Sequence, residues 1–129
     1  KPHYAMGLGL NPLDIFEVVE RGVDMFDCVA PTRLARHGML LIKNKKNKHR
    51  LNITNAKYKT DKKPIDKNCT CSTCANYSRA YLNHLFKSRE MTAMRLSSIH
   101  NLHFLLNLMK QIRDSIKNNT FLKFKKEWI

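Results

Sequence analysis

Residues 21–36 read RGVDMFDCVAPTRLAR. A short apolar run ends in an aspartate and a cysteine, Pro31 stops it, and two arginines follow. If 23–29 is a strand, alternation puts Val23, Met25, Asp27 and Val29 on one face and Asp24, Phe26 and Cys28 on the other. Asp27 then sits among apolar neighbours near the strand's C-terminal end, the end at which parallel sheets and α/β barrels bind ligands. A carboxylate in that position is paired, hydrogen-bonded or used, because leaving it buried and bare costs on the order of several kcal/mol. A salt bridge to Arg33 or another cation would satisfy it structurally. A reaction would use it.

The stretch before it indicates the kind of sheet. Residues 4–9, YAMGLG, read as a short apolar strand ending in a glycine turn. Asn11 is placed to cap a helix with Pro12 at its first position and Asp14 in its first turn, and Gly22 sits where that helix stops. Strand, helix, strand is a βαβ unit, so both strands are expected to be parallel and largely buried.

At 129 residues and 43% hydrophobic content, the chain suffices for one domain or part of one. No run approaches the ~20 apolar residues of a membrane span, and Lys1-Pro2-His3 carries no signal-peptide pattern. A cytoplasmic protein without membrane contact is expected. The net charge of +14 is unevenly spread: residues 1–30 hold five acids against Lys1 and Arg21, and the rest carries +17. Residues 43–67 alone contain ten Lys or Arg against Asp61 and Asp66. This is the footprint of a polyanion-binding surface; the competing reading is a solvated lysine-rich face.

Beyond Pro31, GMLLIK and RLNITNAKY read as two strands joined by the basic turn NKKNKHR. Helices are expected from Ser78 to about Lys87 and from Arg89 to about Lys117, with Asn118-Asn119 as the stop. In the second, Met91, Met94, Ile99, Leu102, Leu105, Met109, Ile112 and Ile116 recur at helical spacing and read as a core-facing stripe. Between hairpin and helices, CTCSTC places Cys69, Cys71 and Cys74 within six residues. Three thiolates converging from one turn suit tetrahedral Zn²⁺, and the tight spacing argues against a disulfide framework. A fourth ligand is needed, and His84, His100 and His103 are the candidates. Cys28 stands apart and reads as a small buried residue.

Taken in order, MGLG, RGVDMFDCVAPTRLAR, NAKYKTD, PIDKNCTCSTC, NYSRAYLNHL and IHNLHFLLNLMKQIRDSI resemble the bacterial form of the tRNA-guanine transglycosylase (queuine tRNA-ribosyltransferase) family. The resemblance covers almost the whole chain and corresponds to that enzyme's C-terminal third. It implies an α/β fold: the C-terminal part of a (β/α)₈ TIM barrel with an inserted zinc-binding subdomain and closing helices. The parts would be 1–31, the last βαβ segment with the catalytic strand end; 32–88, the zinc-binding and RNA-contacting subdomain; and 89–129, the C-terminal helices. It further implies Asp27 as nucleophile, Zn²⁺ held by Cys69, Cys71, Cys74 and His100, and RNA contacts from Gly7, Leu8 and Gly9 and from Thr32, Arg33, Leu34, Ala35 and Arg36. The implied partners are the anticodon loop of tRNA, a 7-deazaguanine-type base and, at full length, a second copy of the enzyme. The basic turn KNKKNKHR is about four residues longer than the bacterial pattern, and the family's other aspartate and guanine pocket belong to upstream strands. Exchanging a base at ribose C1′ requires a carboxylate that attacks as guanine leaves, the role implied for Asp27. The alternative is a catalytically incomplete, zinc-stabilised RNA-binding module.

Overall fold

The computed structural model describes residues 1–129. Its contacts group them into two compact units, Lys1–Ala30 with Leu105–Ile129, and Pro31–Phe104.

The first unit opens with β1 (Tyr4–Ala5), α1 (Pro12–Glu20) and β2 (Met25–Phe26). β1 and β2 pair in parallel, Tyr4 opposite Met25 and Ala5 opposite Phe26, as the βαβ reading requires. Both α1 ends form as the sequence indicates. Asn11 Oδ1 accepts from Leu13 N at 3.2 Å while Asp14 Oδ2 accepts from Asn11 N at 3.2 Å, a complete capping box. At the far end Gly22 adopts φ +92°, and the bonds Gly22 N to Val19 O and Val23 N to Val18 O, each 3.0 Å, close a Schellman motif. α1 buries Ile15 and Phe16. Phe16 lies with its ring centroid 5.6–6.1 Å from those of Phe121, Phe124 and Trp128.

The strands are shorter than expected and are not buried: Tyr4 is 53% and Met25 50% exposed. Each pairs only with the other, and the face on which Tyr4 and Met25 stand side by side is exposed.

In the second unit α2 (Ala30–Arg36, its first residue belonging to the other unit) leads into the antiparallel hairpin β3 (Met39–Leu41) and β4 (Arg50–Asn52). Gly38 turns the chain at φ +76°, and a Cβ there would lie 2.7 Å from the Thr54 methyl, so only glycine fits. A 3₁₀ turn (Lys45–Asn47) tips the hairpin and another (Ala56–Tyr58) follows it; then come α3 (Ser72–Asn76) and α4 (Arg79–Lys87), the latter capped by Ser78 Oγ accepting from Tyr81 N at 3.1 Å. Leu40, Leu51, Ile53, Tyr58, Ile65, Leu82, Leu85 and Leu96 form the core. Asn83 fastens it, donating through Nδ2 to Ile53 O (2.8 Å) and Asn55 O (3.1 Å).

α5 (Met91–Lys117) runs through both units, its residues up to Phe104 grouping with the second and those from Leu105 with the first. It ends at Asn119, φ +55°, in another Schellman motif (Thr120 N to Ser115 O, 2.8 Å; Asn119 N to Ile116 O, 3.1 Å), and α6 (Phe121–Lys126) follows. The buried face of α5 is not the expected stripe. Ala93, Leu96, Ser97, His100, Asn101, Leu108, Ile112 and Ser115 are buried, whereas Met91, Met94, Leu102 and Ile116 are exposed and Ile99, Leu105 and Met109 lie between. Asn101 wins its place on the inner face because the backbone opposite offers it partners: it accepts from Leu41 N (2.9 Å) and donates to Pro31 O and Met39 O (3.0 Å each). In the other direction Thr73 Oγ1 of α3 donates to Leu96 O of α5 (2.7 Å).

Candidate functional site

Two groups of side chains carry chemistry, one in each unit. The first is built on β1 and β2. Asp27 follows β2 directly, and its carboxylate is exposed. Its Oδ1 accepts from Gly7 N at 3.1 Å and its Oδ2 accepts a short hydrogen bond from the Tyr4 hydroxyl, while Leu8 N donates to the Asp27 backbone carbonyl at 3.0 Å. The Tyr4 hydroxyl first, and then the Gly7 N–H, hold the carboxyl below the ordinary carboxylate range, so Asp27 is ionised at neutral pH. The same bond pushes the Tyr4 phenol up and keeps it a donor. Gly7 and Gly9 have φ +69° and +102°, a backbone that lets the loop fold under the carboxylate. The arrangement is an ionised, accessible oxygen nucleophile or base, oriented from below by two donors.

The glycine loop therefore touches Asp27, a role the sequence did not disclose, and Tyr4 is a positioning residue that it missed. The available signal was register: in a parallel pair Tyr4 falls opposite Met25, two residues before Asp27 and on its face. Cys28 is half-buried, its Sγ accepting from Ala30 N at 3.2 Å. On α2, Arg33 and Arg36 are exposed, Thr32 and Leu34 are half-buried and Ala35 is buried.

The second group is the cysteine cluster. Cys69, Cys71, Cys74 and His100 bring four ligand atoms within 4.8 Å of one another and could hold a metal ion. Cys71 caps α3, its sulfur accepting from Cys74 N (3.3 Å), and Cys71 N in turn donates to the Cys69 sulfur (3.5 Å). His100 presents Nδ1 to the three sulfurs at 3.7, 3.6 and 3.3 Å, and Nε2 lies 2.8 Å from Leu41 O. A carbonyl only accepts, so Nε2 carries a proton, and Nδ1 is the ring atom turned to the sulfurs, the one that would ligate a metal on giving up its own proton. Burial works against a charge on His100, but the sulfurs of Cys69, Cys71 and Cys74, with Leu41 O, outweigh it and push its pKa up to about 12. Burial likewise opposes the Cys71 thiolate, yet His100, Cys74 N and Cys69 bring it down to about 6, while burial holds the Cys74 thiol up. Donors converging on one buried point favour a cation there. Of the other histidines, His84 is exposed on α4 and His103 faces Thr70 Oγ1 at 3.4 Å; neither joins the cluster.

A family model described as queuine tRNA-ribosyltransferase matches residues 1–129. Proteins named queuine tRNA-ribosyltransferase are similar over nearly the whole chain. That of Clostridium kluyveri is 54% identical over 127 residues, 98% of this chain and 32% of the relative. The Fusobacterium nucleatum and Helicobacter acinonychis proteins are 50% and 51% identical over 129 residues, all of this chain and 33% of each relative. The chain thus spans about a third of the length of the curated relatives it matches.

Proposed function

The chain belongs to the queuine tRNA-ribosyltransferase family, and from that premise we propose that it is the C-terminal segment of an enzyme exchanging guanine at the tRNA wobble position for a queuosine precursor. The observation that carries this reading is Asp27: an ionised, accessible carboxylate at a parallel strand's end, held by Tyr4 and Gly7. Asp27 Oδ attacks ribose C1′ as the C1′–N9 bond to guanine breaks, the bonding pair leaving with guanine, which takes up one proton from solvent, and a covalent ester-like intermediate remains. A 7-deazaguanine-type base then attacks C1′, its ring nitrogen loses a proton, and the carboxylate is released. Both oxygens being hydrogen-bonded, the carboxylate needs no reorientation as its charge is consumed. Full turnover requires the guanine pocket and second aspartate that the family resemblance assigns to upstream strands.

The metal is Zn²⁺ in this reading. Ligand bonds of about 2.3 Å to sulfur and 2.0–2.1 Å to nitrogen give tetrahedral S···N edges of about 3.5–3.6 Å, and the Nδ1–Sγ distances of 3.3–3.7 Å bracket them. Four protein ligands leave no open position, so zinc stabilises the fold and takes no part in the reaction. Thr32–Arg36, with exposed Arg33 and Arg36, contacts the anticodon loop while the target base is presented out of its stack. Gly7–Gly9 both cradles Asp27 and approaches the RNA. The complete enzyme acts in the cytoplasm as a homodimer; no helix here is long and apolar enough to cross a membrane.

The test is Asp27→Asn in the complete enzyme. The amide keeps the shape but is a far poorer nucleophile, so the RNA adduct on a denaturing gel should vanish while the melting temperature holds. An adduct that persists would remove Asp27 from the reaction.

A further inference from the structure

Resting on the tRNA reading but concerning a different surface, we infer that residues 42–44 at the start of the hairpin turn and the loop 63–68 form the two walls of a basic cleft that takes the phosphodiester backbone of an RNA strand, without reading its bases. Lys43 stands on one wall and Lys63 and Lys67 on the other, Arg79 joins the lining from beside the loop, and Asp66 is the one carboxylate in the lining.

Both acids of this region are occupied at home. Asp61 Oδ2 accepts from Arg79 Nη1 at 3.1 Å and its Oδ1 from Lys63 N at 3.0 Å; Asp66 Oδ1 turns back to accept from Asn68 N at 2.8 Å. Two carboxylates cannot cancel the ten Lys and Arg of residues 43–67, and the excess is left facing outward.

The walls are also fixed. Asn44 N donates to His49 Nδ1 (3.1 Å), His49 N donates to Asn44 O (2.8 Å), and the imidazole is fully buried, an anchor for the lysine-rich tip. Lys48 and His49 adopt φ +50° and +60°, a conformation that a merely solvated tail would not hold. Across the cleft, Arg79 donates through Nη2 to Ile65 O (2.8 Å) and stands 5.5 Å over the Tyr58 ring, which ties the loop to the core. A positioned channel of point charges that offers few planar donors suits phosphates rather than base edges.

The test is anisotropy of a labelled anticodon stem-loop RNA with the whole chain over a salt series. At ~0.7–0.9 counterions per phosphate contact, Lys63→Gln with Lys67→Gln should flatten the slope of log K against log salt by about 1.4–1.8, so that wild type loses about tenfold more affinity than the variant between about 50 and 200 mM salt. A scrambled stem-loop should be weakened by the same factor. Both lysines are exposed, so the melt should be unchanged. Lys123→Gln with Lys126→Gln removes equal charge from α6 and should leave the slope alone. An unchanged slope in the first variant, an equal change in the second, or a loss confined to the anticodon sequence would each overturn the cleft. Inorganic phosphate displacing the RNA at matched ionic strength would overturn it too, reducing the site to one for a single phosphate group. A wild type with no preference between stem-loops, but with the Lys63 and Lys67 effect intact, would support the cleft and sink the tRNA reading instead.

Discussion

Residues 31–104 close upon themselves, whereas Lys1–Ala30 with Leu105–Ile129 do not. The first group has a continuous apolar core, buried amides bridging one segment's backbone to another's, and a ligand set whose four donors all come from within it. The second buries Ile15, Leu108 and Ile112 beside an aromatic cluster around Phe16, yet leaves much apolar surface open: Tyr4, Met6, Leu10, Met25, Val29, Leu106 and Leu122 are all exposed. Its sheet is two parallel strands, an assembly that is marginal by itself. The difference teaches where stability and chemistry reside. The unit that completes itself carries the Cys69, Cys71, Cys74 and His100 cluster that could hold a metal, and the unit whose strands stay exposed carries the ionised carboxylate of Asp27.

Removing the metal is the harshest way to break this contrast. Structural zinc supplies about 10–16 kcal/mol of apparent folding free energy in zinc-finger peptides at pH 7, so a chelator should unfold 31–104. By elemental analysis His100→Ala should lose the metal, while His84→Ala, altering an exposed residue on α4, should keep it. Equal metal content in the two variants would remove His100 from the ligand set.

Next in size is Phe16→Ala. It deletes a fully buried ring at the centre of the aromatic cluster, and urea melts should register a loss of about 3–5 kcal/mol with the metal content unchanged. Asn101→Ala strips three backbone groups of their partner, at about 1 kcal/mol each. A loss of roughly 3 kcal/mol is expected by the same measurement. If Phe16→Ala also released the metal, the two units would not be separable.

Legibility in the sequence followed the range of the interaction. Local signals read through: Asn11 and Pro12 open α1, Gly22 and Asn119 end helices, Ser78 caps α4, and the cysteine spacing announced the metal-binding cluster. The residues alone left His84, His100 and His103 equivalent; the family resemblance chose His100, and the structure brings it to the cysteines. What failed was long-range polar pairing. A hydrophobic stripe was the natural inner face for α5, yet its inner face also carries His100 and Asn101, because Leu41 and Met39 present backbone groups that only polar side chains satisfy. Asp27 looked buried by alternation and is exposed, since alternation assigns faces but does not say what covers them. Tyr4 escaped notice because its partner is 23 residues away.

Tyr4→Phe is the gentlest test. Asp27 has its carboxyl pKa depressed by the Tyr4 hydroxyl, so its charge persists above that lowered value and is lost as pH falls through it. Deleting the hydroxyl should move the acid limb of adduct formation by the complete enzyme to higher pH and leave the neutral rate little changed. An acid limb that stays in place would mean that Gly7 N alone sets the carboxylate.

The contrast itself is tested most directly by hydrogen exchange on the zinc-loaded chain before and after chelation. Amides of β3, β4, α4 and the first half of α5 should lose protection together, while those of α1 around Ile15 and Phe16 keep theirs. Simultaneous collapse of protection across all 129 residues, or protection at β3 and β4 that survives chelation, would contradict the division between a metal-closed unit and one that bears the chemistry.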